Sequence, residues 1–257
     1  MLAHDLALLT TAALDAGKIA MRYWQNTPRV WDKADASPVT EADLAVNDML
    51  KSQLCAARPD YGWLSEETPD SADRLKHEHV FIIDPIDGTR AFIAGERHFS
   101  HSLAIARNGE ITAAVVYVPA LERLYSATSD GPALMNGTPI HASIKPLRDY
   151  PNILMSKATL NPEHWIGPAP DVQRSFRASV AYRLALVADG SFDAMLSFRA
   201  SWEWDIAAGS LIAARAGAKL CDARGQALRF NTSAAKSNGI FAGSAALFAE
   251  LFPLINA

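Results

Sequence analysis

Asp84-Pro85-Ile86-Asp87-Gly88-Thr89-Arg90-Ala91-Phe92 follows the apolar run Val80-Phe81-Ile82-Ile83. The run reads as a buried strand, and it delivers two carboxylates, a tight turn, a glycine and a hydroxyl before a short helix. Carboxylates at the end of a buried strand are costly unless a cation meets them. Two acids separated by Pro-Ile are not expected to reach a Lys or Arg on a neighbouring helix turn within this segment, so a hard divalent cation with oxygen ligands is the economical partner. Pro85 fixes its own φ and helps aim the Ile86 carbonyl. Gly88 lets a phosphate approach the backbone, with the Gly88 and Thr89 N–H groups facing it at the helix start. A strand-to-turn segment with Asp87 as an ordinary helix cap is the alternative, and the flanking sequence decides between them.

Working outward, residues 2–24 place Leu6, Leu9, Ala13, Ala16, Ala20 and Tyr23 at helical spacing, and residues 33–38 are polar and turn-like. Thr40 is expected to cap a second helix with Glu41 and Asp43 in its first turn. Trp63-Leu64 enters a short strand that exits at Ser65-Glu66-Glu67. Beyond the central segment, strands over 100–107 and 111–118 bracket Asn108-Gly109, a hairpin signal. Further strands over 123–127 and 133–135 extend an antiparallel meander, with Asn136-Gly137 as another turn. The pattern resets at 145–150. A strand over 152–155, a Pro-rich loop (Pro162, Pro168, Pro170), a helix over 181–189, a strand over 192–196, a helix over 205–216 and a strand over 219–222 follow. The expectation is an α+β chain in two halves, 1–147 carrying most of the acids and 148–257 carrying Asp205.

The chain has 257 residues, 49% of them hydrophobic, enough for a substantial core. A net charge of −4 argues against a general nucleic-acid binder while leaving room for a small anionic substrate in a local basic pocket. Cys55 and Cys221 lack metal or redox spacing and read as free thiols. No signal-peptide pattern and no membrane-length apolar run are present, which points to a cytoplasmic protein that does not engage membranes.

Four stretches in order, Pro38-Val39-Thr40-x-x-Asp43, Glu66-Glu67, the central segment, and Trp204-Asp205-x-Ala207-Ala208-Gly209, resemble the inositol monophosphatase superfamily across nearly the whole chain. The resemblance implies a layered α-β-α-β-α sandwich of the inositol monophosphatase/fructose-1,6-bisphosphatase type. It implies a Mg2+-dependent, lithium-sensitive phosphomonoesterase that forms a homodimer and uses two or three Mg2+ per site. Asp84 would bridge two ions, with Glu66 and the Ile86 carbonyl on one, Asp87 and Asp205 on the other, and a weaker third near Glu66. Thr89 bonded to Asp43, assisted by Glu66, resembles the pair that activates the attacking water. Gly88 and Thr89 would bind the phosphate, and Lys33 resembles the lysine of a loop that closes over the metals.

Within the superfamily, Lys33-Ala34-Asp35-x-Ser37-Pro38-Val39-Thr40 with Leu64-Ser65-Glu66-Glu67 is most similar to the bacterial 3′(2′),5′-bisphosphate nucleotidases. Phe198 stands where inositol-specific members carry a ring-binding glutamate, so it is expected to contact a base. Arg183, with Lys157, is expected to hold a second phosphate. Ala178-Ser179 departs from the Gly-Ser/Thr pattern that opens the substrate loop. The expected substrate is 3′-phosphoadenosine 5′-phosphate, giving AMP and phosphate. An inositol monophosphatase or histidinol phosphatase is the alternative enzyme, and an RNA- or polymerase-binding regulator is the alternative of another class. His98, His101 and His141 are expected to be structural or solvated, and Arg90 and Arg97 to widen the positive field at the cleft.

Overall fold

The computed structural model describes residues 2–26, 28–33 and 37–256. Ala34 and Asp35 lie outside the described residues. The first elements are α1 (Leu2–Tyr23), a ribbon of β1 (Val30–Asp32) and β2 (Pro38–Thr40), and α2 (Glu41–Ala57). A seven-stranded sheet follows from β3 (Gly62–Ser65), β4 (His79–Asp87), β5 (Ser100–Arg107), β6 (Glu110–Val118), β7 (Arg123–Thr128), β8 (Leu134–Met135) and β9 (Thr138–Pro139), with α3 (Thr89–Ile93) between β4 and β5. These strands are hydrogen-bonded in chain order, β3 parallel to β4 and the rest an antiparallel meander. At the β5–β6 turn, Asn108 and Gly109 both take positive φ (51° and 84°), the conformation a two-residue hairpin needs.

The second sheet contains β10 (Asn152–Leu154), β11 (Gln173–Ser175), β12 (Ala194–Ser197), β14 (Lys219–Cys221) and β16 (Ile240–Gly243) in the order β11-β10-β12-β16-β14. α4 (Val180–Ala188) and α5 (Glu203–Arg215) lie between its strands in sequence, and α6 (Ala245–Leu251) follows them. A two-stranded ribbon pairs β13 (Ser201–Trp202) with β15 (Lys236–Ser237).

Side chains alternate across a strand, and the alternation sorts the layers. Phe81, Ile83, Leu103, Ile105, Ala113 and Val115 pack on α1 and α2 through Leu9, Ala13, Ala16, Val46 and Leu50. Their neighbours Val80, Ile82, Ala104, Ala106, Ala114 and Val116 face the opposite core with Leu184, Ile206 and Ile212 of α4 and α5. That core also receives Leu154, Met195 and Ala242 from one face of the second sheet. The other face sends Ile153, Leu196 and Phe241 against Leu247 and Leu251 of α6. The result is an α-β-α-β-α sandwich in which α5, late in the chain, packs on the first sheet. Gly209 permits this: a Cβ there would lie 2.5 Å from Leu184 Cβ, so only a bare backbone lets α5 cross α4 this closely.

The structure extends several sequence expectations. β4 runs on to Asp87 instead of ending at Ile83, its ladder with β5 shifting register between Asp84 and Asp87. The polar turn over 33–38 joins two short strands, and β11, β15, β16 and α6 were not foreseen. Among the described residues, no helix is long and apolar enough to cross a membrane.

Candidate active site

The sheet registers assemble the acids. Parallel pairing sets Ser65 opposite Ile83, and the Glu66 N–H donates to the Ile83 carbonyl, so Glu66 emerges beside Asp84. Across the other edge of β4, Asp84 pairs with Ser102 of β5. The Ser102 hydroxyl donates to the Trp204 carbonyl at 2.8 Å, fixing the first turn of α5 and with it Asp205. Ligand oxygens of Glu66, Asp84 and Asp205 thereby converge within 4.8 Å of one another.

Asp84 is 1% exposed, and its buried Oδ1 has no hydrogen-bond partner among the described residues. Burial, then Glu66, Asp87, Asp205 and Glu67, push its carboxyl well above the ordinary carboxylate range. Burial and the charges of Asp87 and Glu66 do the same to Asp205. An orphaned carboxylate oxygen facing two further carboxylates fits a hard divalent cation such as Mg2+. The two farthest oxygens of one octahedral Mg2+ lie about 4.2 Å apart, so the trio needs little contraction to hold one.

Asp87 sits differently from its three neighbours. Its Oδ2 accepts from Ser179 Oγ and from the Ala181 N–H, both at 2.6 Å, joining β4 to the N-terminus of α4. Burial raises its pKa to about 6 against those bonds. The sequence expectation made Asp87 a metal ligand. In the structure it borders the same cleft but stands outside the converged trio, one oxygen committed to the helix end. Ser179, noted from sequence only as a departure, caps α4 by accepting from the Tyr182 N–H and lies 3.0 Å from the Ser100 hydroxyl. Its signal was a serine one residue before a helix.

Gly88 takes φ 91° at the cap of α3, and a Cβ there would lie 3.2 Å from the Ser179 backbone N, so the turn demands glycine twice over. The Thr89 hydroxyl lies 3.1 Å from the Ile86 carbonyl and 3.3 Å from Asp43 Oδ1 and can donate to either. Thr40 and Asp43 form a reciprocal capping box at the start of α2. Asp43 Oδ2 accepts from the Thr40 N–H at 2.8 Å and the Thr40 hydroxyl at 2.5 Å. Burial raises the Asp43 pKa to about 6, with the Thr40 bonds opposing it. Lys33 donates to Glu66 at 2.7 Å and Glu67 at 2.6 Å. Burial disfavours its charge, but the two glutamates outweigh that and hold its pKa above the ordinary value. Burial lifts the Glu67 carboxyl to about 7, against the Lys33 bond.

His101, fully buried, bonds the Pro85 carbonyl through Nδ1, and burial lowers its pKa to about 4, so the ring is neutral and Nδ1–H donates. It braces the shifted-register segment between the two aspartates, a structural role. His98 stacks near Tyr182. Arg97 donates to the Ala120 carbonyl at 3.0 and 2.8 Å, while Arg90 borders the acidic cleft.

Of the expected substrate contacts, Arg183 lies at the cleft. It donates to the Arg177 carbonyl at 2.5 Å and the Ala178 carbonyl at 3.2 Å, with its guanidinium 4.4 Å from the Phe176 ring centroid. Burial lowers its pKa, while Asp87 and Asp205 act the other way. Two expectations need correction. Phe198 does not face the acids: its ring packs against His164 (4.6 Å) and Trp165 (5.6 Å), because it continues the inward alternation of Ala194 and Leu196. Lys157 is exposed on a 3-10 turn and borders neither the acidic cleft nor its neighbour.

The model of the inositol monophosphatase family matches residues 1–255. An inositol-1-monophosphatase of Rhizobium meliloti (strain 1021) is 34% identical over 86% of both chains. The 3′(2′),5′-bisphosphate nucleotidase CysQ of Escherichia coli (strain K12) is 31% identical over 85% of this chain and 90% of its own. The crystal structure of the extragenic suppressor protein suhB of Bartonella henselae superposes with a TM-score of 0.82 at 26% identity, covering 97% of each chain.

Proposed function

The chain belongs to the inositol monophosphatase family of phosphatases, and from that premise we propose a Mg2+-dependent phosphomonoesterase whose favoured substrate is 3′-phosphoadenosine 5′-phosphate. The observation that carries the reaction class is the convergence of ligand oxygens of Glu66, Asp84 and Asp205, together with a buried Asp84 oxygen that no hydrogen bond among the described residues satisfies. These three would hold Mg2+, with Asp87 and the Ile86 carbonyl completing two or three ion positions. When bound, the metal neutralises phosphate charge and makes water a stronger nucleophile.

The protein groups supply the rest. Thr89 Oγ1 accepts a proton from the attacking water and passes its own to Asp43 Oδ1. Thr40 holds Asp43 in one rotamer meanwhile. Lys33 keeps Glu66 and Glu67 together as the phosphate enters. The backbone at Gly88 and Thr89 faces the phosphate oxygens. Attack in line breaks the bond between phosphorus and the ester oxygen, which takes up a proton from solvent, and the alcohol and inorganic phosphate leave without a phosphoenzyme.

Arg183 at the cleft and the absence of a carboxylate at position 198 support the bisphosphate over inositol phosphates. The 34% identity to an inositol-1-monophosphatase favours the second reading. Phosphate release from 3′-phosphoadenosine 5′-phosphate, inositol 1-phosphate and histidinol phosphate, with Mg2+ and with EDTA, decides between them. A preference of about a hundredfold in kcat/KM for the nucleotide, roughly 2.7 kcal/mol, is expected. Equal rates would leave only the general phosphatase, and no Mg2+-dependent release from any ester would remove the reaction class itself.

A further inference from the structure

Beside the acids the cleft opens into a second depression of about 650 Å3, a volume suited to a small-molecule ligand. The two share Phe176, Val180, Arg183, Arg199, Trp202 and Asp205, so they adjoin. Its wall is the β13–β15 ribbon, which sets Trp202 opposite Lys236. Trp202 stacks on Trp204 at 4.6 Å and 12°, and Lys236 Nζ sits 3.6 Å above the Trp202 ring centroid. An aromatic face holds the ammonium in place without neutralising it.

Arg199 enters from the loop after β12 and, unlike Phe198 beside it, lines this cavity. Among the described residues, neither Arg199 nor Lys236 has a carboxylate partner. Arg58, Arg74, Arg107, Arg148 and Arg229 each pair with one; of the cations that do not, Arg199 and Lys236 are the pair placed on this cavity beside Arg183. Arg183, fixed by two carbonyls and Phe176, turns the remainder of its guanidinium to the same space. Three cations thus line a cavity contiguous with a cluster of carboxylates, in a chain whose net charge is −4.

We propose that Arg199 and Lys236 bind a second phosphate carried on the leaving group of the substrate, with Arg183 between the two phosphate positions. The assignment rests on the phosphatase reading and gives its specificity a physical basis. Guanidinium and ammonium groups left unpaired next to the acids bind a dianion more strongly than they bind a neutral polyol. They take over the role in holding a second phosphate that the sequence reading had given to Lys157. Trp202, covered on one face by Trp204 and on the other by Lys236, is a support for the lysine and not a stacking platform for a base.

The test compares 3′-phosphoadenosine 5′-phosphate with adenosine 3′-phosphate, which differ only in the second phosphate. In the wild type kcat/KM is expected to favour the bisphosphate by about tenfold or more, 1.4 kcal/mol. The Arg199→Gln/Lys236→Gln variant is expected to bring the ratio near one, mainly through KM, and Arg199→Lys/Lys236→Arg to restore most of it. A wild-type ratio near one, or a ratio unaffected by the double glutamine variant, overturns the proposal. If the wild type releases phosphate from neither ester, the phosphatase reading falls by itself. Calorimetric titration with adenosine 5′-phosphate against adenosine then judges the anion site separately. A preference for the nucleotide that disappears in the glutamine variant sustains the site, and equal affinities for nucleotide and nucleoside remove it.

Discussion

The two ends of the cleft are built on opposite principles. The acidic end is buried and holds more carboxylates than Lys33, paired with Glu66 and Glu67, can balance. Asp84 and Asp87 are 1% and 6% exposed on a central strand, locked by sheet register and by the helix end at Ser179. The basic end is exposed and carried on a loop and a two-residue ribbon, its charges in contact with water. Burying like charges costs stability, which a bound cation returns, so the acidic end is specified tightly enough to take one class of ion. Charges in water cost little to keep unpaired, and their contribution is to selectivity among substrates. The fold therefore places the chemistry on a buried central strand and leaves specificity on the periphery.

If that contrast holds, Asp84→Asn has the largest effect, in two opposite directions. Turnover with Mg2+ is expected to fall by about a thousandfold or more, roughly 4 kcal/mol. The unfolding temperature in EDTA is expected to rise, because one buried charge that nothing compensates has been removed. A fall in both would mean that Asp84 has a structural partner this account misses.

The next effect is on pH. In the metal-free protein Asp43 and Asp87 move from 3.8 to about 6, and Glu67 from 4.5 to about 7. The folded state then binds more protons than the unfolded one across that interval, so stability falls as pH rises from about 4 to about 7. Thermal unfolding in EDTA across this range is expected to show the decline, and saturating Mg2+ to flatten it. A curve that rises over this interval in EDTA contradicts the electrostatic picture of the acidic end.

A smaller effect tests what anchors α5. Buried Glu203 accepts from the Asn231 N–H (2.6 Å), the Thr232 N–H (2.9 Å) and the Thr232 hydroxyl (2.5 Å). Arg74, 3% exposed, ties the same loop to Asp70. Glu203→Gln is expected to cost about 2 kcal/mol, or roughly 4–8 °C in unfolding temperature for a chain near this size. An unchanged melting curve would show that the loop, and Asp205 two residues further on, is held by packing alone.

The unequal legibility of the molecule follows the same division. β4 to β7 were readable because continuous apolar runs and the Asn108-Gly109 turn are local signals. The capping box of Thr40 and Asp43 was local as well. The association of Asp87 with Ser179 spans 92 residues and leaves no local trace. β15 is two residues long, defined only by its pairing with Trp202, and its sequence carries no strand periodicity to read. Phe198 illustrates a signal present but unused. Ala194, Leu196 and Phe198 alternate into one core, which turns Arg199, not Phe198, toward the substrate space. Motif spacing identified the acids, whereas the direction of side chains in a loop needed the neighbouring strand.

The most direct test of the central claim, that Glu66, Asp84 and Asp205 form a divalent-cation site, is thermal unfolding of the chelator-treated protein titrated with Mg2+. Binding to the folded state alone raises stability by RT ln(1 + [Mg2+]/Kd), about 2.7 kcal/mol at a hundredfold excess over Kd. The account expects a saturable rise in unfolding temperature for the wild type and little or none for Asp84→Asn. Equal rises in both, or no rise in the wild type, would contradict it.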